Sequence, residues 1–249
     1  MKEEIQKIIK ELKGKKIAIV AMGRSQIDFH LSQVHSVKFD EVWAINAMIG
    51  VIPNINRAFI LDPMSRFLDT YDAGDMTDMM KRILPKVTYP IYSCEVDKRV
   101  PAIEEFPLSI LINELSCSYF NNTIAYSIAF ALWNKVKAIN IFGVDFTYKN
   151  NMHFAEAGRA CCEFWISKCL DNKIDVSIAP NSNLLDTNVH LKDKLYGYHR
   201  LKDPKISYQN DLGLQVCKWS EITQEENKPI GMIGREDLQI NNIPEPNKY

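Results

Sequence analysis

The chain has 249 residues and a mass of 28.6 kDa, and 46% of its residues are hydrophobic, enough for one sizeable core with appendages. Thirty Lys and Arg stand against 31 Asp and Glu, a formal net charge of −1, so the chain lacks the overall basic footprint by which bulk nucleic acid or an anionic membrane is held. Its six cysteines form no CxxC pair and no zinc-like spacing, which predicts reduced, buried thiols.

The chain begins MKEEIQKIIKELKGKK, with Ile5, Ile8, Ile9 and Leu12 on one helical face. This predicts an N-terminal helix over 1–14 and fits neither a signal peptide nor a membrane span, so a soluble, cytoplasmic protein is expected. Next comes IAIVA at 17–21, a buried strand, followed by the small-residue turn Met22-Gly23-Arg24-Ser25. A glycine there lets backbone approach a ligand closely, and Ser25 offers a helix cap or a hydroxyl for phosphate or ribose. Arg24 is either a phosphate partner or a solvated surface residue. His30 and His35 fall on the first helix and its exit, without polar company.

EVWAIN at 41–46 and RAFILD at 57–62 are further strands, ending in Asn46 and Asp62. Asn46 suits a base edge or sugar hydroxyl and Asp62 a hydroxyl or a metal; either also serves as a helix cap. The stretch 65–82 supplies Phe67, Leu68, Tyr71, Met76, Met79 and Met80, and Asn122 to Asn134 predicts a buried helix, TIAYSIAFALW. AINIFGVD at 138–145 and DVSIAP at 175–180 complete the strands, with a helix expected from about Ala155 to Asn172. Near-continuous apolar strands alternating with helices predict an α/β fold with a mostly parallel sheet covered on both faces. In such sheets ligands bind beyond the carboxyl ends of the strands, where Gly23, Ser25, Asn46, Asp62, Asp145 and Asn181 should converge.

The densest cluster is IFGVDFTYKNNMHF at 141–154. It sets Asp145, Tyr148 and His153 in one strand-end loop, with His153 suited to base chemistry near neutral pH and Tyr148 to an uncharged hydrogen bond with phosphate. No HExxH, GxSxG or Walker pattern is present, which removes zinc proteolysis, serine hydrolysis and P-loop chemistry. Beyond Asp186 the pattern changes: HLKDKLYGYHRLKDPK mixes basic and aromatic residues, with His190 and His199, and the end is polar. Two units are expected, a nucleotide-binding α/β catalytic domain over 1–186 and an irregular C-terminal extension over 187–249 with a partly disordered tail.

The order of MGRS after the first strand, AIN after the second, then GVDFTY, a His and APNSNLLD resembles the bacterial family 42 sialyltransferases. The resemblance spans roughly residues 15–186, and His153 precedes Glu163-Phe164 by ten residues, as in the family's pattern. A looser resemblance joins the MptE-like 6-hydroxymethylpterin diphosphokinases and motility-associated glycosyltransferases. The resemblance implies a Rossmann-like, GT-A-type sheet and a glycosyltransferase moving a sugar from a CMP- or UDP-sugar to an acceptor hydroxyl. By position it implies Gly23, Arg24 and Ser25 on the nucleotide, Asn46 on donor phosphate or sugar, and Asn121 and Asn122 on base or ribose. Asn181 and Ser182 then close the base end, Asp145 lies at the family's GxD position as a catalytic-site residue, Tyr148 approaches the phosphate, and His153 is the general base. It implies no metal, and the family's frequent tetramers imply a homo-oligomer.

The departures are specific. The family's long lid before the His is reduced to KNNM, Arg24 stands for its Pro and Met22 for its Asn. The acceptor stays open between a glycan, a protein and a modified DNA base, the last not favoured by charge. A magnesium-dependent diphosphokinase holding the metal on Asp62 and Asp145 is the alternative enzyme, and a nucleotide-binding module without chemistry is the non-enzymatic one.

Overall fold

The computed structural model describes residues 11–71, 74–147 and 151–189, together with strands at 204–209, 213–218 and 228–229. Contacts divide the chain into two compact units, Met1–Val189 and His190–Tyr249.

The first unit is built on seven parallel strands: β1 (Lys16–Val20), β2 (Glu41–Ile45), β3 (Arg57–Phe59), β4 (Ile91–Ser93), β5 (Ile103–Glu105), β6 (Ala138–Phe142) and β7 (Asp175–Ile178). They lie in the order β5-β4-β3-β2-β1-β6-β7, so the chain winds outward from β1 on one side and then returns to β1's other side. Strand β1 pairs with β2 from Ile17 opposite Glu41 to Val20 opposite Ala44, and with β6 from Lys16 opposite Ala138 to Val20 opposite Phe142. The β1–β6 boundary is therefore the point where the strand order reverses, the position at which open α/β sheets leave a crevice.

Period-two alternation sends the two faces of β1 to separate cores. Ile17 and Ile19 join Trp43, Phe59 and Tyr92 beneath helices α4 (Leu108–Leu115), α5 (Thr123–Trp133) and α6 (Met152–Asp171). Ala18 and Val20 join Ala44 and Ala58 beneath α1 (Ile27–Val34), α2 (Ser65–Leu68) and α3 (Thr77–Ile83). The first face is aromatic, with Phe59 and Phe130 rings 5.5 Å apart and Tyr92 and Phe130 rings 4.7 Å apart. The second carries alanines on the strands, and Phe29, Met48 and Met80 from the covering elements fill the space.

A buried ion cluster sits at the amino edge of the sheet, opposite the strand ends that carry the predicted site. Glu41 Oε2 accepts from Arg57 Nε at 2.9 Å and Trp43 Nε1 at 2.7 Å, and Glu41 Oε1 accepts from Lys15 Nζ at 3.0 Å. Arg57 also donates to Glu11 at 3.0 Å and to the Tyr92 hydroxyl at 3.2 Å. Burial alone would raise the Glu41 carboxyl, but the hydrogen bonds from Arg57 and Trp43 outweigh it and hold the group below its ordinary value. Burial pushes the Tyr92 phenol up to about 12.

Several sequence expectations are revised. Strands β4 and β5 and helix α4 had no predicted counterpart, each strand being three residues long. The 65–82 stretch, to which no single element was assigned, contributes α2, a 3-10 turn at Gly74–Met76 and α3. Helix α6 starts at Met152, not near Ala155, because Asn151 caps it by accepting from the Phe154 N–H. The extension expected to be irregular contains three antiparallel strands, β8 (Pro204–Gln209), β9 (Gly213–Lys218) and β10 (Lys228–Pro229), ordered β10-β8-β9. Of the N-terminal helix, residues 1–10 lie outside the described ones, and a left-handed Gly14 follows the buried Leu12. Cys161, Cys162 and Cys169 are buried free thiols, Cys117 is half-buried and Cys94 is exposed. No helix among the described residues is long and apolar enough to cross a membrane.

Candidate active site

At the carboxyl edge the turn after β1 is fastened to the turn after β6. The Gly23 N–H donates to Gly143 O at 2.7 Å, the Ser25 N–H to Asp145 Oδ2 at 2.6 Å, and the Ser25 hydroxyl to Asp145 Oδ1 at 2.8 Å. The Ser25 oxygen in turn accepts from the Gly143 N–H at 3.0 Å. Ser25 is fully buried, and its hydroxyl is occupied both as donor and as acceptor. Ser25 and Asp145 thereby hold the two turns together.

Both glycines serve that closeness. A Cβ on Gly23 would stand 2.6 Å from Asp145 Oδ2 and from Gly143 O. Gly143 has φ +66°, and a Cβ there would meet Ala21 O at 1.9 Å, a clash with backbone that cannot turn aside. Gly143→Ala is expected to cost about 2 kcal/mol or more, from strain plus the forced separation of the turns. Differential scanning calorimetry should read this as a fall in Tm of about 4–8 °C for a unit of this size. An unchanged Tm would mean that the turns do not need their close approach.

The loop after β7 is strapped to the same turns. Asn181 donates from its N–H and its side-chain amide to Asp28 at 3.1 and 2.8 Å, and the Ser182 hydroxyl donates to Val144 O at 2.7 Å. Asn183 Oδ1 accepts from the Phe146 N–H at 3.2 Å, while Glu163 accepts from the Leu185 N–H at 2.9 Å. Arg159 bridges Glu163 and Asp186, at 2.8 Å to each. Leu185 and Asp186 both take left-handed φ, 51° and 52°, strain that these bonds hold in place.

Asn121 and Asn122 join α5 to α6. Asn121 donates to Ala157 O at 2.9 Å and Asn122 to Gly158 O at 3.2 Å, while Asn122 Oδ1 caps α5 by accepting from the Ala125 N–H at 2.9 Å. The Phe146 ring packs on Gly158, where a Cβ would stand 2.7 Å from it. Asn122→Ala is expected to lose about 1–2 kcal/mol, since one change removes a helix cap and an interhelical bond; chemical denaturation reads this directly, and a loss below about 0.3 kcal/mol would contradict the assignment.

Three predicted residues are left with polar groups unspent. Arg24 is exposed, and its side chain makes no polar contact among the described residues. Asn46, where β2 ends, has a left-handed φ of 52°, and its buried Oδ1 has no hydrogen-bond partner. Asn46 opens a 3-10 turn, Asn46–Gly50, directly after β2, the strand that pairs with β1. His153 is exposed in the first turn of α6. It therefore rides on a capped helix whose amino end follows the carboxyl end of β6, not on the loop expected from sequence. Tyr148, His190 and His199 lie outside the described residues.

Asp62 is paired with Arg66 on the following helix. Strands β3 and β6, which precede Asp62 and Asp145, are three spacings apart in the sheet, roughly 14 Å. Sequence reasoning missed Asp28 and Asn183, whose partners Asn181 and Phe146 are distant in the chain, and the bridge from Arg159 to Glu163 one helical turn on and to Asp186 beyond β7.

Comparison with sequence families finds none that matches, and comparison with curated proteins finds none either. Among solved structures the chain is similar to the sialyltransferase CstII from Campylobacter jejuni in complex with the substrate analogue CMP-3FNeuAc, at 16% identity and a TM-score of 0.43, over 68% of this chain and 82% of that one. A second CstII structure, with cytidine-5'-monophosphate, gives 18% identity and a TM-score of 0.42, over 68% and 81%. At these values the similarity carries no argument about this chain.

Proposed function

We propose that the chain is a glycosyltransferase that uses a nucleotide-activated sugar, a CMP- or UDP-sugar, at the carboxyl edge around the β1–β6 boundary. The observation that carries this reading is Asn46: a strained residue with a buried, unpartnered oxygen, one strand from the reversal point of a parallel sheet. A buried acceptor without a donor costs stability unless a ligand supplies one, and ribose, sugar or cytosine amino groups are such donors. Arg24 is the cation for the donor phosphate, free to take a bidentate grip.

His153 is the general base. As the acceptor oxygen attacks the anomeric carbon, its proton passes to an imidazole nitrogen, and the nucleotide phosphate leaves with the bonding electron pair. Arg24 and the amino ends of α5 and α6 face the charge that grows on the phosphate. Gly23, Ser25, Asp145, Asn121, Asn122, Asn181 and Ser182 act as positioning residues, and Tyr148 is assigned to the phosphate side.

The test is transfer of radiolabelled sugar from CMP- and UDP-sugar donors to a panel of glycans, proteins and hydroxymethylated DNA. Hydrolysis or transfer that falls with Arg24→Ala supports the reading. Activity indifferent to Arg24, Asn46 and His153 together would overturn it.

A further inference from the structure

Helix α3 and the chain that follows it frame an open groove of about 710 Å³, within the size range of small-molecule sites. Met79, Arg82, Ile83 and Lys86 fall at i, i+3, i+4 and i+7, so one face of the helix, carried on by the 3-10 turn Leu84–Lys86, forms a wall. Val87, Thr88 and Tyr89, just ahead of β4, line it as well. Gly50, the last residue of the turn that Asn46 opens, also lines the groove, and a Cβ there would run into Met79 Sδ. None of these residues takes part in the proposed transfer.

The lining divides by chemistry. Met79, Ile83, Val87 and Tyr89 are half-buried and pack against the second core, which gives the groove an apolar floor. Arg82 and Lys86 stand exposed above it, and no acidic residue lines the groove. Their charge is uncompensated. Arg57, Arg66, Arg99 and Arg159 each meet a carboxylate, whereas Arg82 donates its Nε only to the backbone oxygen of Asp78, at 3.2 Å, and Lys86 has no carboxylate partner among the described residues. Burial raises the Tyr89 phenol above its ordinary value, so that group brings no competing negative charge.

We propose that this groove binds a small organic anion, its phosphate or carboxylate held by Arg82 and Lys86 and its aromatic or short aliphatic body laid along Met79, Ile83 and Val87. The two cations supply charge-assisted hydrogen bonds, and the guanidinium offers a planar fork that fits an oxyanion. The floor supplies apolar contact that an inorganic ion cannot use. A groove open to solvent screens its charges, so a dissociation constant of roughly 0.1–1 mM is expected for a ligand of two fused rings and one phosphate.

The test is NMR of the full chain carrying 13C-methyl methionine, with the Met79 signal assigned from Met79→Leu, titrated with 1-naphthyl phosphate, inorganic phosphate and 1-naphthol. The Met79 methyl should move saturably with 1-naphthyl phosphate, and the other two should bind about tenfold more weakly or worse. Arg82→Gln with Lys86→Gln should weaken 1-naphthyl phosphate at least about tenfold at unchanged Tm, since both side chains are exposed. Arg24→Ala should bind it in the groove as wild type does. A Met79 methyl that does not respond, a response equal in the double variant, or one lost in Arg24→Ala would overturn the proposal. Inorganic phosphate or 1-naphthol binding as tightly as the ester would overturn it too, because half of the lining would then be idle. The outcome is independent of the proposed activity, which is read by sugar transfer and not at Met79.

Discussion

Replacing His153 by Ala is expected to lower kcat by roughly 10²–10⁴-fold, the usual contribution of a positioned general base, while leaving KM for the sugar nucleotide and Tm nearly unchanged. The reasoning is local. His153 is exposed and its side chain makes no hydrogen bond among the described residues, so its removal opens no cavity and leaves no buried group unsatisfied. Helix α6 keeps its Asn151 cap and its buried face of Ala155, Cys161, Cys162 and Trp165. Steady-state transfer assays paired with calorimetric melting separate the chemical loss from a folding loss. Equal turnover in the variant would remove His153 from the reaction, and a collapse of Tm would show that it holds structure instead.

The second large effect lies at the other edge of the sheet. Glu41→Ala is expected to cost about 3–5 kcal/mol, the range for removing one partner of a buried ion pair. Arg57 would keep its burial and lose its main carboxylate, left with the half-exposed Glu11 and the Tyr92 hydroxyl. Lys15 and the Trp43 indole N–H lose their acceptor in the same step. The replacement of Glu41 and Arg57 together by apolar residues should recover much of the loss, because no uncompensated charge then remains.

The same cluster gives a pH dependence with a definite sign. The Glu41 carboxyl is held below its ordinary value, so its stabilisation is fully present above the normal carboxylate range and is lost as pH falls through its lowered value. Tyr92 behaves oppositely. Its phenol is raised from 10.0 to about 12, so stability is retained below pH 10 and falls as the unfolded chain ionises between these values. Resistance to urea should weaken at both extremes, and Tyr92→Phe should flatten the alkaline limb; an alkaline limb unchanged by that substitution would contradict the assignment.

What the sequence discloses depends on the range of the interaction. Strands β1, β2 and β6 are readable because each is five residues with buried side chains toward both cores, a pattern few other elements make. IYS and IEE are too short to show any period, so β4 and β5 stay hidden. The carboxyl-edge residues can be found from strand ends, but their roles cannot. Ser25 and Asp145 are 120 positions apart, and no local spacing reveals that each completes the other's hydrogen bonding. A serine after a buried strand reads as a free hydroxyl until its partner is placed beside it.

His153 shows the converse. The N-cap signal was present in Asn151, three residues before Phe154, and it argues for a helix beginning at Met152. The Glu41 and Arg57 pair was marked only by charges at the starts of two apolar strands, a position equally suited to solvent.

Asn46 separates a binding role from a structural one. Asn46→Gly relieves a left-handed φ and deletes an unpartnered buried oxygen, so Tm should stay level or rise, by up to about 1 kcal/mol in stability. The most direct measurement is isothermal titration of CMP- and UDP-sugars, without metal, into wild type, Asn46→Gly and Arg24→Ala. The expected result is saturable binding of one donor class by wild type, weakened at least tenfold in each variant with no loss of Tm. No binding by wild type, or equal binding by all three proteins, would contradict a nucleotide-sugar site at this edge of the sheet.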